Sequence, residues 1–199
     1  MVHLTSGLAT YKPRRRMSDV ELARRIAVGD RDAAELFARE HYPAVLRLAT
    51  RLCGNGDDAG DIAQETFIVA RRDFGRYRGG ASLRTWVHKI AFNEYRQWKR
   101  KRRALPLFDL DFPIRDEAIE SFEAGHALMA ALANIPNKPR EAFILFEVEQ
   151  LAMNEVAKVL GVPVGTAKAR VFYARQHLRQ HFEDLVSTTD ELKRSTSHG

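Results

Sequence analysis

The amino-acid sequence predicts an all-α protein made of two small helical domains joined by a flexible acidic linker. Apolar residues recur at the spacing of amphipathic helices along most of the chain. Gly161 and Pro163 mark a tight turn between two such patterns. Charge along the chain runs from basic to acidic and back to basic. The predicted boundaries are a flexible basic arm at 1–17, a first domain at 18–103, the linker at 104–115, a second domain at 116–186 and a flexible tail at 187–199.

Composition narrows the possible classes of function. The 199 residues suffice for one or two domains with real cores, and the net charge of +6 suits a polyanionic partner. No apolar run approaches the roughly 20 residues needed to cross a bilayer, and the N-terminus lacks the apolar segment of a signal peptide. We therefore expect a soluble, cytoplasmic protein without membrane insertion. One cysteine, Cys53, and scattered histidines predict neither a disulfide framework nor a metal site, and we expect no cofactor.

Two helical patterns open the first domain. Ser18 begins a capping box, and the short helix that follows ends at Gly29. The next pattern runs from Ala33 to Leu52. We expect Pro43 to kink or divide this second helix, because proline lacks a backbone N–H donor.

The following helix, predicted from Asp58 to about Arg72, carries two different stripes. One stripe is mostly small and apolar and should face the core: Ala59, Ile62, Ala63, Thr66, Phe67 and Ala70. The other recurs at i, i+3, i+4 and i+7 and consists of Asp61, Gln64, Glu65 and Ile68. An isoleucine exposed among two carboxylates and an amide indicates a protein-binding face. A solvated acidic face with one stray apolar residue is the other interpretation, and the helix alone leaves both open.

A glycine-rich loop at 73–82 leads into a long helix capped by Ser82. The loop lacks the Gly-Lys-Ser/Thr ending of a phosphate-binding loop. The core side of the helix is predicted to contain Leu83, Trp86, Val87, Ile90 and Ala91. Six of the eight residues at 96–103 are basic, a density that favours contact with a polyanion. Neighbouring aromatic rings could stack on unpaired bases, and Trp98 suits this role better than the predicted core residues Trp86 and Tyr95.

The second domain contains a helix, the turn at Gly161 and a basic helix. The predicted buried stripe of the basic helix is Ala167, Val171, Ala174, Leu178, Phe182 and Leu185. The remaining surface is left to Thr166, Lys168, Arg170, Tyr173, Arg175 and Gln176. This is the helix-turn-helix arrangement that enters the DNA major groove, and an ordinary amphipathic hairpin is the alternative. At the start of the first helix Ala152 offers no side-chain cap, so Asn154 caps instead or the helix frays.

Three blocks of the sequence resemble bacterial RNA polymerase sigma factors of the extracytoplasmic-function (ECF) type. DDAGDIAQETFIVA, at 57–70, resembles the core-binding helix of that family. The segment at 74–103 resembles the promoter-melting segment, with Leu83-Arg84-Thr85-Trp86 and Asn93 at matching places. The segment at 135–178 resembles the domain that reads the upstream promoter element. The order and spacing of the blocks carry the resemblance, which covers roughly Asp19 to Phe182.

This resemblance implies an alternative sigma factor that binds core RNA polymerase and directs promoter-specific transcription initiation. It implies binding to the clamp of the β′ subunit through Asp61, Gln64, Glu65 and Ile68, and a contact between the second domain and the β flap. It implies contact with the −10 element through Phe74, Arg76, Tyr77, Arg78, Asn93, Arg96, Trp98, Lys99 and Arg100. It implies contact with the −35 element through Thr166, Lys168, Arg170, Tyr173 and Arg175. An anti-sigma factor is expected as a further partner by the same analogy.

Two rival classes remain at this point. An operator-binding regulator that does not replace a sigma subunit would explain the helix-turn-helix but not the stripe from Asp61 to Ile68. A nucleic-acid enzyme would need a metal cluster, a nucleophile–base pair or a phosphate loop. The sequence indicates none of these, so we predict no catalytic residues. Ala167 and Ala169 replace larger or polar residues common in the family, which leaves the −35 sequence preference open.

Overall fold

The computed structural model describes residues 17–104 and 131–196. Every regular element within these ranges is helical, which confirms the predicted all-α class. The helices are α1 (Asp19–Ala27), α2 (Arg31–Cys53), α3 (Gly56–Asp73), α4 (Leu83–Ala104), α5 (Asn137–Phe143), α6 (Met153–Leu160) and α7 (Val164–Thr196). A 3-10 turn covers Phe74–Arg76, a π-helical turn covers Ile144–Val148, and residues 131–133 are also helical. Apart from Met17 and Ala104, the predicted arm and acidic linker lie outside the described residues.

Side-chain caps set the ends of the first helices. The Ser18 hydroxyl accepts a hydrogen bond from the Glu21 N–H at 3.2 Å, which confirms the predicted start of α1. Gly54 ends α2 with a φ of 73°, a conformation that glycine adopts without steric cost. Helix α2 is continuous through Pro43, so the chain is not divided there. Proline removes only one backbone hydrogen bond, and α2 is held along its length by packing against α3 and α4.

The first domain packs α2, α3 and α4 around one apolar core, with α1 against α2 and the 3-10 turn. Its largest fully buried side chains include Phe37, Val45, Leu48, Leu83, Val87 and Tyr95. The small apolar stripe of α3 faces this core as predicted, although Phe67 is only half-buried. The carboxylate of Asp19 accepts the Leu83 N–H at 2.7 Å and so ties the start of α4 to α1.

The second domain is more broken than the sequence pattern indicates. Helix α5 passes into the π-helical turn, and Gln150 adopts a positive φ of 54° before α6 begins. Glu155 supplies the missing cap: its carboxylate accepts the Ala152 N–H at 3.0 Å. Asn154 therefore does not cap α6. Gly161, with a φ of 67°, forms the predicted turn into α7.

Helix α7 extends well beyond the predicted domain boundary at residue 186. It continues to Thr196, so the proposed flexible tail is helical over 187–196. Ala167, Val171, Ala174 and Leu178 are buried as predicted, but Phe182 is 41% exposed. Leu178 is the last buried residue of α7 over 164–183, the part of this helix for which burial is described.

The two domains lie against each other. Helix α6 packs on α4, and the π-helical turn contacts α2. Within the described ranges, no helix is long and apolar enough to cross a membrane.

Candidate polymerase and nucleic-acid interfaces

Helix α3 displays the predicted acidic stripe on its outer face. Asp61, Gln64, Glu65 and Ile68 are all exposed, and the Ile68 side chain is 56% accessible. Within the described part of the chain, neither carboxylate of the stripe takes part in a salt bridge. A shallow groove beside the stripe is lined by Tyr42, Gly60, Asp61, Gln64, Phe67, Ile68 and Arg71. The stripe is therefore an accessible surface of mixed apolar and acidic character.

Two of the predicted −10 residues are part of the core instead. Phe74 and Tyr77 are only 4% and 8% exposed. Both rings pack on Trp86, at centroid distances of 5.1 and 5.6 Å, and the Tyr77 hydroxyl donates to the Ala81 carbonyl oxygen at 2.6 Å. Rings enclosed in this way have no free face for a base, so neither ring is accessible in this arrangement for the predicted contact with the −10 element. Phe74 and Tyr77 hold the loop at 73–82 in shape.

The other predicted −10 residues lie on the loop or along α4. Arg76, Arg78, Asn93, Arg96 and Arg100 are exposed, whereas Trp98 and Lys99 are half-buried. The Arg78 guanidinium donates to the Gly75 carbonyl oxygen at 2.7 Å, which holds the end of this side chain against the loop. These exposed side chains place hydrogen-bond donors for phosphates and base edges on both the loop and α4.

Trp98 connects α4 to the start of α3. Its indole N–H donates to Asp58 Oδ1 at 3.0 Å, and its ring stacks on Tyr95 at a centroid distance of 6.0 Å. The guanidinium of Arg102 lies over the indole, 5.2 Å from its centre, and donates to the other Asp58 oxygen at 2.5 Å. These contacts make Trp98 a structural anchor with only part of its ring accessible.

The predicted −35 residues of the basic helix α7 differ in solvent exposure and in their contacts. Thr166, Lys168 and Tyr173 are exposed, with Tyr173 55% accessible. Arg170 is half-buried, because it faces α4 across a cleft between the domains. Arg175 donates through Nε to Glu147 Oε1 at 2.8 Å and lies 5.6 Å from the centre of the Phe146 ring. Four of the five residues are thus exposed in this arrangement, and only Arg170 is half-buried.

A buried polar cluster lies between the domains and was not predicted from the sequence. Glu149, 4% exposed, accepts from Arg51 Nη1 at 2.7 Å, and its second carboxylate oxygen lies 3.5 Å from His88 Nε2. Arg84 also donates to the Glu149 backbone carbonyl. The partners lie 61 to 98 positions apart in sequence, and no local pattern connects residues at such separations.

Comparison with known proteins decides the family. Residues 37–105 match the family Sigma-70 region 2, and residues 125–178 match Sigma-70 region 4. The ECF RNA polymerase sigma factor SigE of Mycolicibacterium smegmatis is 34% identical over 175 residues, covering 82% of this chain and 68% of the relative. The chain belongs to the ECF sigma factors. It is similarly related to the RNA polymerase sigma-H factor of Pseudomonas aeruginosa, 29% identical over 187 residues, covering 84% and 95% of the two chains.

Two solved structures share the fold of this ECF sigma factor. CnrH, solved with the cytosolic domain of CnrY, aligns with a TM-score of 0.65 at 24% identity over 83% of this chain and 97% of CnrH. RpoE of Bartonella quintana, solved with the anti-sigma factor NepR, aligns with a TM-score of 0.65 at 25% identity over 75% of this chain and 96% of RpoE. The chain is an alternative sigma factor that directs promoter-specific transcription, and the operator-binding regulator is not favoured.

Proposed function

We propose that the exposed stripe of α3 is the surface through which this sigma factor binds the clamp of core RNA polymerase. The accessible Ile68, on the same helix face as Asp61 and Glu65, supports this assignment. Carboxylates have the wrong sign to contact DNA phosphates, so the surface suits a protein partner.

The first domain would hold the melted −10 element with the exposed donors of α4 and its preceding loop. Arg76, Arg78, Asn93, Arg96 and Arg100 are accessible for this role. Displacing a base from the duplex costs a few kcal/mol, which hydrogen bonds and stacking must offset. Half-buried Trp98 and Lys99 would contribute through their accessible edges. Phe74 and Tyr77 would act from the core, by keeping the loop at 73–82 in shape.

The second domain would place α7 in the major groove of the −35 element. Thr166, Lys168 and Tyr173 are accessible at the N-terminal half of this helix, where helix-turn-helix proteins contact base edges. Arg170 and Arg175 would join the interface after release from their present contacts with the cleft and with Glu147. The same domain would meet the β flap of the polymerase.

An anti-sigma factor is the further partner that we propose. Support comes from the similarity to RpoE of Bartonella quintana, which was solved with its anti-sigma factor NepR. Because core polymerase works in the bacterial cytoplasm, the chain would act there. The acidic linker, which lies outside the described residues, would approach the polymerase active site and RNA exit path, as the family resemblance implies.

Transcription from a randomised promoter library tests the proposed function. Sigma-free core polymerase is supplied with templates that carry variable −35 and −10 elements before a fixed start site. We expect run-off product only when the chain is added, with enrichment of one pair of elements. The loop variant Arg76→Ala/Arg78→Ala should relax preference at −10 alone, and Lys168→Ala should relax it at −35 alone. Product that is independent of the chain, or unselected elements, would overturn the proposal.

A further inference from the structure

We propose that Asp19 and Val20 of α1 are positioning residues for the −10 element: they hold the loop at 73–82 in the conformation that presents Arg76 and Arg78 to DNA. This inference rests on the proposed function, in which those two arginines contact the promoter. Helix α1 precedes the segment that matches Sigma-70 region 2, which begins at residue 37.

Asp19 connects α1 to the end of the loop, where α4 begins. Its Oδ2 accepts a hydrogen bond from the Leu83 N–H at 2.7 Å, across 64 positions of sequence. The first N–H groups of a helix have no partner within the helix, and they attract negative charge. The Ser82 hydroxyl accepts the Thr85 N–H at 3.1 Å and so satisfies a second of these groups. Asp19 therefore fixes the point at which the loop ends, and it does so from a different helix.

Val20 lies against the backbone of the same loop at Gly79. This glycine has a positive φ of 76°, and a Cβ built on it would lie 2.9 Å from Val20 Cγ2. Any larger residue at position 79 would therefore meet the valine side chain as well as an unfavourable backbone conformation. The close approach limits how far the loop can move toward α1.

The contacts of α1 are distributed along the loop that carries the two arginines. Near the start of the loop, α1 packs on the 3-10 turn at Phe74–Arg76. Further along, Val20 meets Gly79, and at the end Asp19 binds the Leu83 N–H. Arg76 and Arg78 are both exposed, although α1 contacts the backbone on either side of Arg78. Helix α1 thus braces the loop and leaves the arginine side chains accessible.

Bracing matters because the loop is rich in glycine. Glycine has more backbone freedom to lose than any other residue. A loop that already has its bound conformation loses less conformational entropy when DNA binds. Removing the contacts of α1 should therefore weaken promoter binding even though Asp19 and Val20 act only through the loop.

Transcription by the reconstituted holoenzyme tests the proposal. Asp19→Ala removes the hydrogen-bond acceptor, whereas Asp19→Asn keeps an oxygen that can accept the Leu83 N–H. On the pair of elements selected from the randomised library, we expect Asp19→Ala to lower run-off product about fivefold, as the loss of a helix cap typically would. It should relax preference at −10 and leave preference at −35 unchanged. Asp19→Asn should restore most of the product.

Asp32→Ala is the matched control for charge. Asp32 is an exposed acid in the first turn of α2, and Asp19 has the same place in α1 but also caps α4. Both variants should co-purify with core polymerase, because neither residue belongs to the α3 stripe. Asp32→Ala should transcribe like the wild type. Equal product and equal −10 preference for Asp19→Ala and Asp32→Ala would overturn the proposal.

A double-mutant cycle separates positioning from a loss of stability. If Asp19 acts through the loop arginines, adding Asp19→Ala to Arg76→Ala/Arg78→Ala should cause little further loss of product. A substitution that only destabilises the fold would lower product by the same factor in both backgrounds. That result would overturn the positioning role.

Val20→Ala provides a second measurement that leaves the Asp19 hydrogen bond in place. Circular dichroism at the assay temperature shows whether each variant is folded. We expect Val20→Ala to be folded and to relax preference at −10, as Asp19→Ala does. If Asp19→Ala does not fold, an unchanged −10 preference for Val20→Ala would overturn the proposal.

Failure of the proposed function gives a different result. In that case the wild type yields no product that depends on the chain, or Arg76→Ala/Arg78→Ala keeps full preference at −10. Failure of the inference alone leaves the wild type and the arginine variant as expected and changes only the outcome for the α1 variants.

Discussion

At the residue scale, accessibility separates side chains that read DNA from those that shape the surface. Lys168 is exposed on α7 and forms no salt bridge with a described residue, whereas Phe74 is enclosed by aromatic neighbours. Both fall in segments that resemble promoter-binding blocks. Their substitution should therefore affect different measurable quantities.

Lys168→Ala should weaken promoter use without changing stability. If the ammonium contacts a base, we expect a loss of about 1–3 kcal/mol in binding free energy and relaxed specificity at one −35 position. Equal loss on every sequence would indicate phosphate contact instead. Competition between labelled promoter duplexes for the assembled holoenzyme measures this, and Lys89→Ala, an exposed lysine on α4, is the control. Unchanged binding would contradict the docking of α7 in the groove.

Glu149 should make stability depend on pH in the acidic range. Burial acts to raise the pKa of its carboxyl, but hydrogen bonding and positive charge from His88 and Arg51 outweigh burial, so the pKa lies below its ordinary value of 4.5. A lowered folded-state pKa means that the stabilisation is complete above about pH 4.5 and is lost as the pH falls through the folded value. The difference in melting temperature between wild type and Glu149→Gln should narrow below pH 4.5. A difference that stays constant to pH 3 would contradict this linkage.

At the element scale, the loop at 73–82 and α4 divide structural and functional roles. Tyr77 and Trp86 fix the loop from inside, and the arginines are exposed on its surface. Because the aromatic rings are buried and the arginines are exposed, a glycine-rich loop can present hydrogen-bond donors in a defined direction. This arrangement also predicts opposite outcomes for core and surface substitutions.

Phe74→Ala should destabilise the first domain by about 3–5 kcal/mol, the usual cost of removing a buried aromatic ring. Its ring packs edge-on to Phe37 at 4.9 Å and on Trp86 at 5.1 Å, so a cavity would remain. Arg78→Ala should leave the free energy of unfolding within about 0.5 kcal/mol, as is usual for surface substitutions, yet reduce formation of melted promoter complexes. Urea unfolding and permanganate footprinting measure the two quantities. Equal stability loss in both variants would show that the roles are not divided.

Helical periodicity was sufficient to predict the elements of the first domain and less so those of the second. The stripe of α3 has a regular spacing, and its exposed and buried faces were both identified. The break after α5 depends on backbone geometry near Gln150, which leaves no periodic signal. Exposure of Phe182 was also missed, because spacing identifies a helix face but not how much of its length is covered. The pairing of Glu149 with Arg51 depends on contact between domains and could not be predicted from local sequence.

At the scale of the whole molecule, an acidic surface and a basic surface lie on different faces and suit different partners. The α3 stripe is acidic and accessible, whereas the cleft between α4 and α7 is lined by Arg96, Arg100 and Arg170. One surface suits protein and the other suits nucleic acid. An operator-binding protein would need only the second.

Binding to sigma-free core polymerase is the most direct test of this account. The wild-type chain should co-purify with core polymerase in the absence of an inhibitor, whereas Asp61→Lys/Glu65→Lys should not. Each substitution reverses a charge that is proposed to form an ion pair with the polymerase. Loss of one partner of a desolvated ion pair typically costs about 2–5 kcal/mol of binding free energy. Glu35→Lys/Glu40→Lys, which makes the same charge change on exposed positions of α2, should still co-purify. Failure of the wild type to bind, or retention of the α3 variant, would contradict the assignment of the stripe as the polymerase-binding surface.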